Sequence, residues 1–266
     1  MSISRMAALG SSFASGPGIP PFAQRRAGRS ERNYAHLTAA ALGASLIDAS
    51  ISGATTETIL TAAQGTGRGR FAPQIESINF ADELDLVTIT VGGNDLGYVG
   101  SMLQTAFTAW MSSRPVARLL LRHRVGDPIG AVTPQRVAAA AAGLIAVVEE
   151  AARRAPHARI LLVDYLTIIG PLTEPSRTAP FTVDELAGFR AVGAELTSAF
   201  ETAARESVAE FIPMAALSTD HAVGSADPWV TGFTFGVRAR DGAPFHPNAA
   251  GMQAVSTAIL QHLSHG

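Results

Sequence analysis

Val87-Thr88-Ile89-Thr90-Val91-Gly92-Gly93-Asn94-Asp95 decides how this chain is to be read. Residues 84–91 alternate and are rich in β-branched side chains, which favours a strand buried on both faces. Two glycines break it, and two short polar residues follow where the strand would open onto a loop. A buried strand that ends in Gly-Gly-Asn-Asp is a structural element and a candidate site in one.

Outward from it, strand-like and helix-like segments alternate. Residues 3–9 read as a first strand ending at Gly10, residues 34–42 have helical spacing, and residues 45–51 read as a second strand. Residues 55–63 resemble a helix start with threonines placed to cap it. Beyond the central stretch come a helix over 134–154, a strand over 160–165, a long helix over 183–208, a short strand over 211–214 and an amphipathic helix over 248–263. This order predicts βαβ units and a mostly parallel sheet covered on both faces. Ligand sites in such folds gather outside the carboxyl ends of the strands. No repeat and no Pro-, Gly- or Ser-rich linker divides the chain, so residues 1–266 are expected to form a single domain. Residues 96–132 run longer than a plain connection needs. Their apolar side chains (Tyr98, Met102, Phe107, Trp110 and Met111 among them) could line a pocket, form a lid, or pack as an ordinary helix pair.

Composition narrows the chemistry. Twenty basic against 22 acidic residues give a formal charge of −2 with no long block of one sign, which argues against nucleic acid and against a polybasic membrane patch. The absence of cysteine excludes disulfides, a thiolate nucleophile and cysteine-ligated metal. The longest apolar run, 137–148, is alanine-rich and too short for a bilayer. Residues 1–8 lack the apolar core of a secretory signal, so the expected location is cytoplasmic, with a secreted protein stripped of its leader as the alternative.

Four segments carry residues suited to chemistry. Gly10-Ser11-Ser12-Phe13-Ala14-Ser15-Gly16 places serines at a strand end beside unpaired backbone N–H groups. Ser52-Gly53-Ala54-Thr55-Thr56 puts a glycine where a backbone N–H could approach a ligand closely. Asn94 offers a side-chain amide donor. Phe245-His246-Pro247-Asn248 sets a histidine just before a helix whose proline fixes the approach. Taken singly, each also reads as an ordinary turn, cap or surface residue.

Taken together, in this order from residue 10 to residue 251, the four segments resemble the SGNH (GDSL-type) hydrolase family. The family's Gly-Asp-Ser segment is matched by Gly10-Ser11-Ser12 with Gly16, its second element by Gly53, its third by Gly92-Gly93-Asn94-Asp95, and its fourth by His246-Pro247-Asn248 with Gly251. Asp227-Pro228-Trp229-Val230 looks like the secreted actinomycete esterases of this family, which usually carry disulfides. The resemblance implies an α/β, three-layer flavodoxin-like fold. It implies Ser12 as nucleophile, His246 as general base, and an oxyanion hole built from the Ser12 and Gly53 N–H groups and the Asn94 side chain, with no cofactor and no metal.

Two positions depart from the family. Ser11 stands where the family has aspartate, which makes Ser11 a fallback nucleophile. Ala243 stands where the family's acid precedes the histidine by three residues. The imidazole is then oriented either by the Ala243 backbone carbonyl, giving a Ser-His dyad, or by Asp241 folded back as the acid. The implied activity is serine esterase action on small-molecule or lipid esters of short- to medium-chain acyl groups. The alternatives are an acyltransferase or carbohydrate deacetylase using the same site, or an inactive SGNH-like binding module.

Overall fold

The computed structural model describes residues 3–67, 69–79, 83–112, 132–234 and 241–265. Its centre is a sheet of five parallel strands: β1 (Arg5–Gly10), β2 (Ser45–Asp48), β5 (Leu86–Thr90), β6 (Arg159–Val163) and β7 (Glu210–Ile212), in the order β2-β1-β5-β6-β7. A separate antiparallel pair, β3 (Gln64–Thr66) and β4 (Gly69–Phe71), stands beside it. The register pairs Ala7 with Ile47 on one side and with Val87 on the other, and Val87 in turn with Ile160. Met6 to Leu9, Leu86 to Ile89 and Ile160 to Val163 are buried almost completely, as expected of strands covered on both faces.

The covering layers follow from helix-forming stretches with clear start signals. Asn33 caps α2 (Tyr34–Leu42) by accepting from His36 N–H. Thr133 does the same for α5 (Pro134–Arg154), whose Pro134 sits in the first turn. Thr182 and Glu185 form a reciprocal capping box on α6 (Val183–Arg205). The pair α5 and α6 packs together, and α2 packs against the last helix, α8 (Ala249–His265), which follows the single turn α7 (Met214–Leu217). Sheet plus two helical layers gives the three-layer α/β fold that the alternation predicts. No helix of the described residues is long and apolar enough to cross a membrane.

The sheet order places the site. The chain leaves β1 to form β2 on one side, and only later lays β5 on the other. The carboxyl end of β1 is therefore flanked by the ends of both β2 and β5, a topological switch point where open α/β sheets form their crevice.

The described residues cover part of the segment 96–132. α4 (Tyr98–Ser112) buries Tyr98, Val99, Met102 and Ala106 against the core and contacts α6, while Phe107 stacks with Trp110 at 5.8 Å on its outer side. The remainder of the expected lid or pocket, residues 113–131, lies outside the described residues. The helix expected over 55–63 is shorter, with α3 (Thr56–Leu60) giving way to the β3–β4 hairpin.

Candidate active site

Ser12 is the first residue of α1 (Ser12–Ser15), a single turn directly after β1. Ser11 N–H donates to Thr90 O at 2.8 Å, continuing the β1–β5 pairing one residue past the strand, while Ser11 O accepts from Ala14 and Ser15 N–H. As the first helical residue, Ser12 has an N–H with no partner inside the turn. Its side chain lies at the rim, and the residue is 6% exposed. Ser11 is wholly buried and faces the other way, its hydroxyl 2.7 Å from the Tyr165 hydroxyl. The fallback assignment of the nucleophile to Ser11 fails on that geometry, because no substrate reaches it.

The second segment is drawn to the first by side chains. Ser15 Oγ and Ser52 Oγ are 2.9 Å apart, and Gln64 Nε2 donates to Ser52 O at 2.9 Å. Gly53 follows at φ +86°, a left-handed conformation that a side chain would strain. The third segment is tied to the second. Asn94 Nδ2 donates to Ala54 O at 2.8 Å, which leaves one of its two N–H groups for a ligand. Asp95 accepts from Thr56 N–H and from Thr56 Oγ1 at 2.6 Å, so its carboxylate is engaged at the start of α3.

His246 reaches the same rim on a loop bound to the nucleophile segment. Ala243 N–H donates to Pro17 O at 2.8 Å, and Gly242 N–H to Gly18 O at 3.3 Å. The imidazole lies 5.7 Å, centre to centre, from the ring of Phe13, the residue after Ser12. Its Nδ1 is 2.8 Å from Pro244 O, so Nδ1 carries the proton and Nε2 keeps a lone pair. Burial outweighs that hydrogen bond and lowers the imidazole to about 4. Phe245, just before it, is a non-glycine residue at φ +60°, held in that strained conformation by packing on Phe181 at 5.4 Å and Phe233 at 6.2 Å. Asn248 then caps α8, its Oδ1 accepting from Gly251 N–H.

The geometry corrects both expected orienters of the imidazole. Ala243 O accepts the backbone N–H of His246 at 3.1 Å and closes a tight turn, and among the described residues the ring nitrogen Nδ1 meets Pro244 O and not Ala243 O. The left-handed Phe245 swings the next carbonyl, that of Pro244, onto Nδ1 instead. Asp241 does not fold back. Its Oδ1 accepts from Ala249 N–H at 3.1 Å, at the start of α8.

Two residues with no sequence signal complete the arrangement. The Gln74 side chain pairs with Gly10 as a strand would, accepting from Gly10 N–H at 2.8 Å and donating to Gly10 O at 3.0 Å. Tyr165, two residues past β6, accepts from Gly93 N–H at 3.2 Å and packs its ring on Phe13 at 4.4 Å. Both contacts join residues far apart in the chain, which no local periodicity reports. Among the described residues no group of three or more His, Asp or Glu side chains gathers as a metal site would require.

Comparison with known proteins bears on this arrangement as a whole. The model of the GDSL-like Lipase/Acylhydrolase family matches residues 8–254. Lipase 2 of Streptomyces coelicolor is 31% identical over 253 residues, which cover 92% of this chain and 80% of that protein. Among solved structures, phospholipase A1 from Streptomyces albidoflavus superposes with a TM-score of 0.72 at 21% identity, covering 98% of this chain and 99% of that one. The extracellular lipase from Streptomyces rimosus gives a TM-score of 0.67 at 22% identity, with 97% and 99% covered.

Proposed function

This chain belongs to the GDSL-like lipase/acylhydrolase family and is a carboxylic ester hydrolase; from that premise we propose that it cleaves short- to medium-chain esters through an acyl-enzyme on Ser12, with His246 as general base in a Ser-His dyad. The observation that carries this reading is the seating of His246, its Nδ1–H on Pro244 O and its ring beside Phe13 at the carboxyl end of β1.

Nε2 of His246 takes the proton of Ser12 Oγ as the oxygen attacks the ester carbonyl. The tetrahedral oxyanion is received by the Ser12 and Gly53 N–H groups and by the free N–H of Asn94. His246 returns the proton to the leaving alkoxide, and water repeats the sequence to release the acid. Pro244 O selects the tautomer, but a neutral carbonyl stabilises the transient imidazolium less than a carboxylate would. Transition-state stabilisation therefore rests more heavily on the oxyanion donors. No hydrogen bond joins Ser12 to His246 among the described residues, as is common before substrate binds.

The reading covers the chain as one catalytic domain. The substrate is a small-molecule or lipid ester, and the lipase relatives support that class. The cytoplasmic location expected above has no support among the relatives, one of which is described as extracellular.

A serine-directed fluorophosphonate probe tests the assignment. Wild type is expected to label, Ser12→Ala and His246→Ala to lose labelling while folded, and a graded panel of p-nitrophenyl esters to rank the acyl length. Undiminished labelling of Ser12→Ala would sink the reading. Partition of the acyl group to added alcohols or sugars would instead mark an acyltransferase.

A further inference from the structure

Tyr165 has no part in the proton transfers proposed above, yet it touches both turns from which that chemistry is built. Its hydroxyl is 2.7 Å from Ser11 Oγ and accepts from Gly93 N–H at 3.2 Å. Ser11 precedes Ser12 and Gly93 precedes Asn94, so one oxygen atom joins the residues immediately before the nucleophile and before the side-chain oxyanion donor. The fit is close. A Cβ at Gly93 would stand 2.7 Å from the ring edge of Tyr165 and 2.9 Å from its hydroxyl, so the phenol fills the volume that a side chain there would need. The same ring packs on Phe13, which faces His246.

We propose that Tyr165 is a positioning residue for ester hydrolysis, its hydroxyl bolting the Ser11-Ser12 turn to the Gly93-Asn94 turn and so setting the distance between nucleophile and oxyanion donor. The inference rests on the roles given to Ser12 and Asn94 above. Ser11 Oγ is completely buried and has no other hydrogen-bond partner among the described residues. Beyond the paired strand ends, where Ser11 N–H meets Thr90 O, the phenol is the next link between the two turns. Each active atom is carried one residue from the bolt, so loss of the bridge transfers directly to it. Burial pushes the Tyr165 phenol far above its ordinary value, which keeps the bridging proton in place across the working pH range. Ser11 itself stands at the sequence position that holds aspartate in the family's Gly-Asp-Ser segment.

The test uses the whole chain and compares wild type, Tyr165→Phe, Ser11→Ala and the double variant. Steady-state kinetics on a p-nitrophenyl ester are normalised to the active serine counted with a fluorophosphonate. Tyr165→Phe keeps the ring and its packing. Its kcat per active serine is expected to fall about tenfold to a hundredfold with KM little changed, the size of effect that sub-ångström misplacement produces. Ser11→Ala removes the same bridge from the other side and answers the question if Tyr165→Phe fails to fold. The double variant is expected to be no slower than the slower single one, since both remove one interaction. A lowered melting temperature with wild-type kcat per active serine would overturn the inference, as would losses that multiply in the double variant. Ser12→Ala, run alongside, separates the two failures. Full activity in it overturns the nucleophile assignment and this inference with it, whereas an inactive Ser12→Ala beside a fully active Tyr165→Phe overturns this inference alone.

Discussion

Pro244 O lies 2.8 Å from His246 Nδ1, two residues from the ring that it orients. A carboxylate in that place would both fix the tautomer and offset the imidazolium charge. A carbonyl does mainly the first. In the proposed mechanism this contact is what separates the site from a full Ser-His-Asp triad.

Asp241→Ala tests that separation. Asp241 accepts from Ala249 N–H and so serves the start of α8, not the imidazole. Its removal is expected to lower stability by about 0.5–2 kcal/mol, the usual cost of a lost N-terminal cap, and to leave kcat within a few-fold of wild type. Thermal melts and steady-state kinetics on the same sample decide it. A fall in kcat on the order of 10³ in a folded variant would make Asp241 the triad acid.

The acid limb of kcat/KM reports the free imidazole. With His246 lowered to about 4 by burial, kcat/KM is expected to stay level on acidification well past the ordinary histidine value of 6.5, and to bend only near 4. A limb near 6.5 would place the imidazole in contact with water or with a carboxylate.

Stability against pH carries a second signature, because two buried groups pull in opposite directions. For His246 the unfolded chain takes the proton first as pH falls from 6.5 toward 4, so acidification through that window destabilises the fold. Asp164 is pushed up to about 7 by burial, against hydrogen bonds from Tyr165 N–H, Thr197 Oγ1 and Ala215 N–H. Here the folded chain takes the proton first between about 7 and 3.8, so acidification through that window stabilises it. Each effect is worth up to roughly 3–5 kcal/mol at about 1.4 kcal/mol per pH unit, the Asp164 effect being the larger. Denaturant titrations of wild type and Asp164→Asn from pH 4 to 7 should show the variant losing stability more steeply on acidification. Parallel curves would mean that Asp164 titrates at an ordinary value.

Asn94→Ala tests the oxyanion role proposed for that side chain. One amide proton is held by Ala54 O, which fixes the other in direction before substrate arrives. Losing it is expected to lower kcat by about 10² to 10³ with little change in KM, since the bond strengthens as charge develops on the substrate oxygen. A loss appearing mainly in KM would assign Asn94 to ground-state binding.

Much of this was legible in the sequence because it is written in local periods. The β-branched run before Gly92, the alanine-rich helix Pro134–Arg154 and the glycines that close β1 and follow β5 fall where spacing and breakers put them. The second strand ends at Asp48, whose carboxylate contacts Asn33, Ser50 and Arg29, while Ala49 and Ile51 N–H still donate to Ala8 O and Gly10 O beyond it. What spacing cannot show is which carbonyl meets the imidazole, because that depends on Phe245 adopting φ +60° under the packing of two distant phenylalanines. Tyr165 read as the last residue of a strand over 160–165. Its role comes from contacts with Ser11 and Gly93, 154 and 72 residues away.

Gln74 is the sharpest case of such a contact, and it yields the last prediction. It sits on a single helical turn, Gln74–Ser77, 2% exposed, and its amide forms both hydrogen bonds that a neighbouring strand would offer Gly10. Gly10 O has a second donor in Ile51 N–H, but its own N–H has no other acceptor among the described residues. Gln74→Ala therefore strands one buried N–H, at about 1–3 kcal/mol, and adds the cost of the emptied volume. Gln74→Glu keeps an acceptor for Gly10 N–H but sets a second oxygen against Gly10 O, so it is expected to destabilise as well, most strongly where the carboxyl is ionised. Because Gly10 leads directly into Ser11 and Ser12, both variants should also lower kcat per titrated serine. Thermal melts for Gln74→Glu at pH 5 and pH 8 distinguish the causes. A Tm that falls further below wild type at the higher pH marks the oxygen–oxygen repulsion, and a wild-type Tm for Gln74→Glu at both pH values beside a lowered one for Gln74→Ala would show that Gln74 acts through its volume alone.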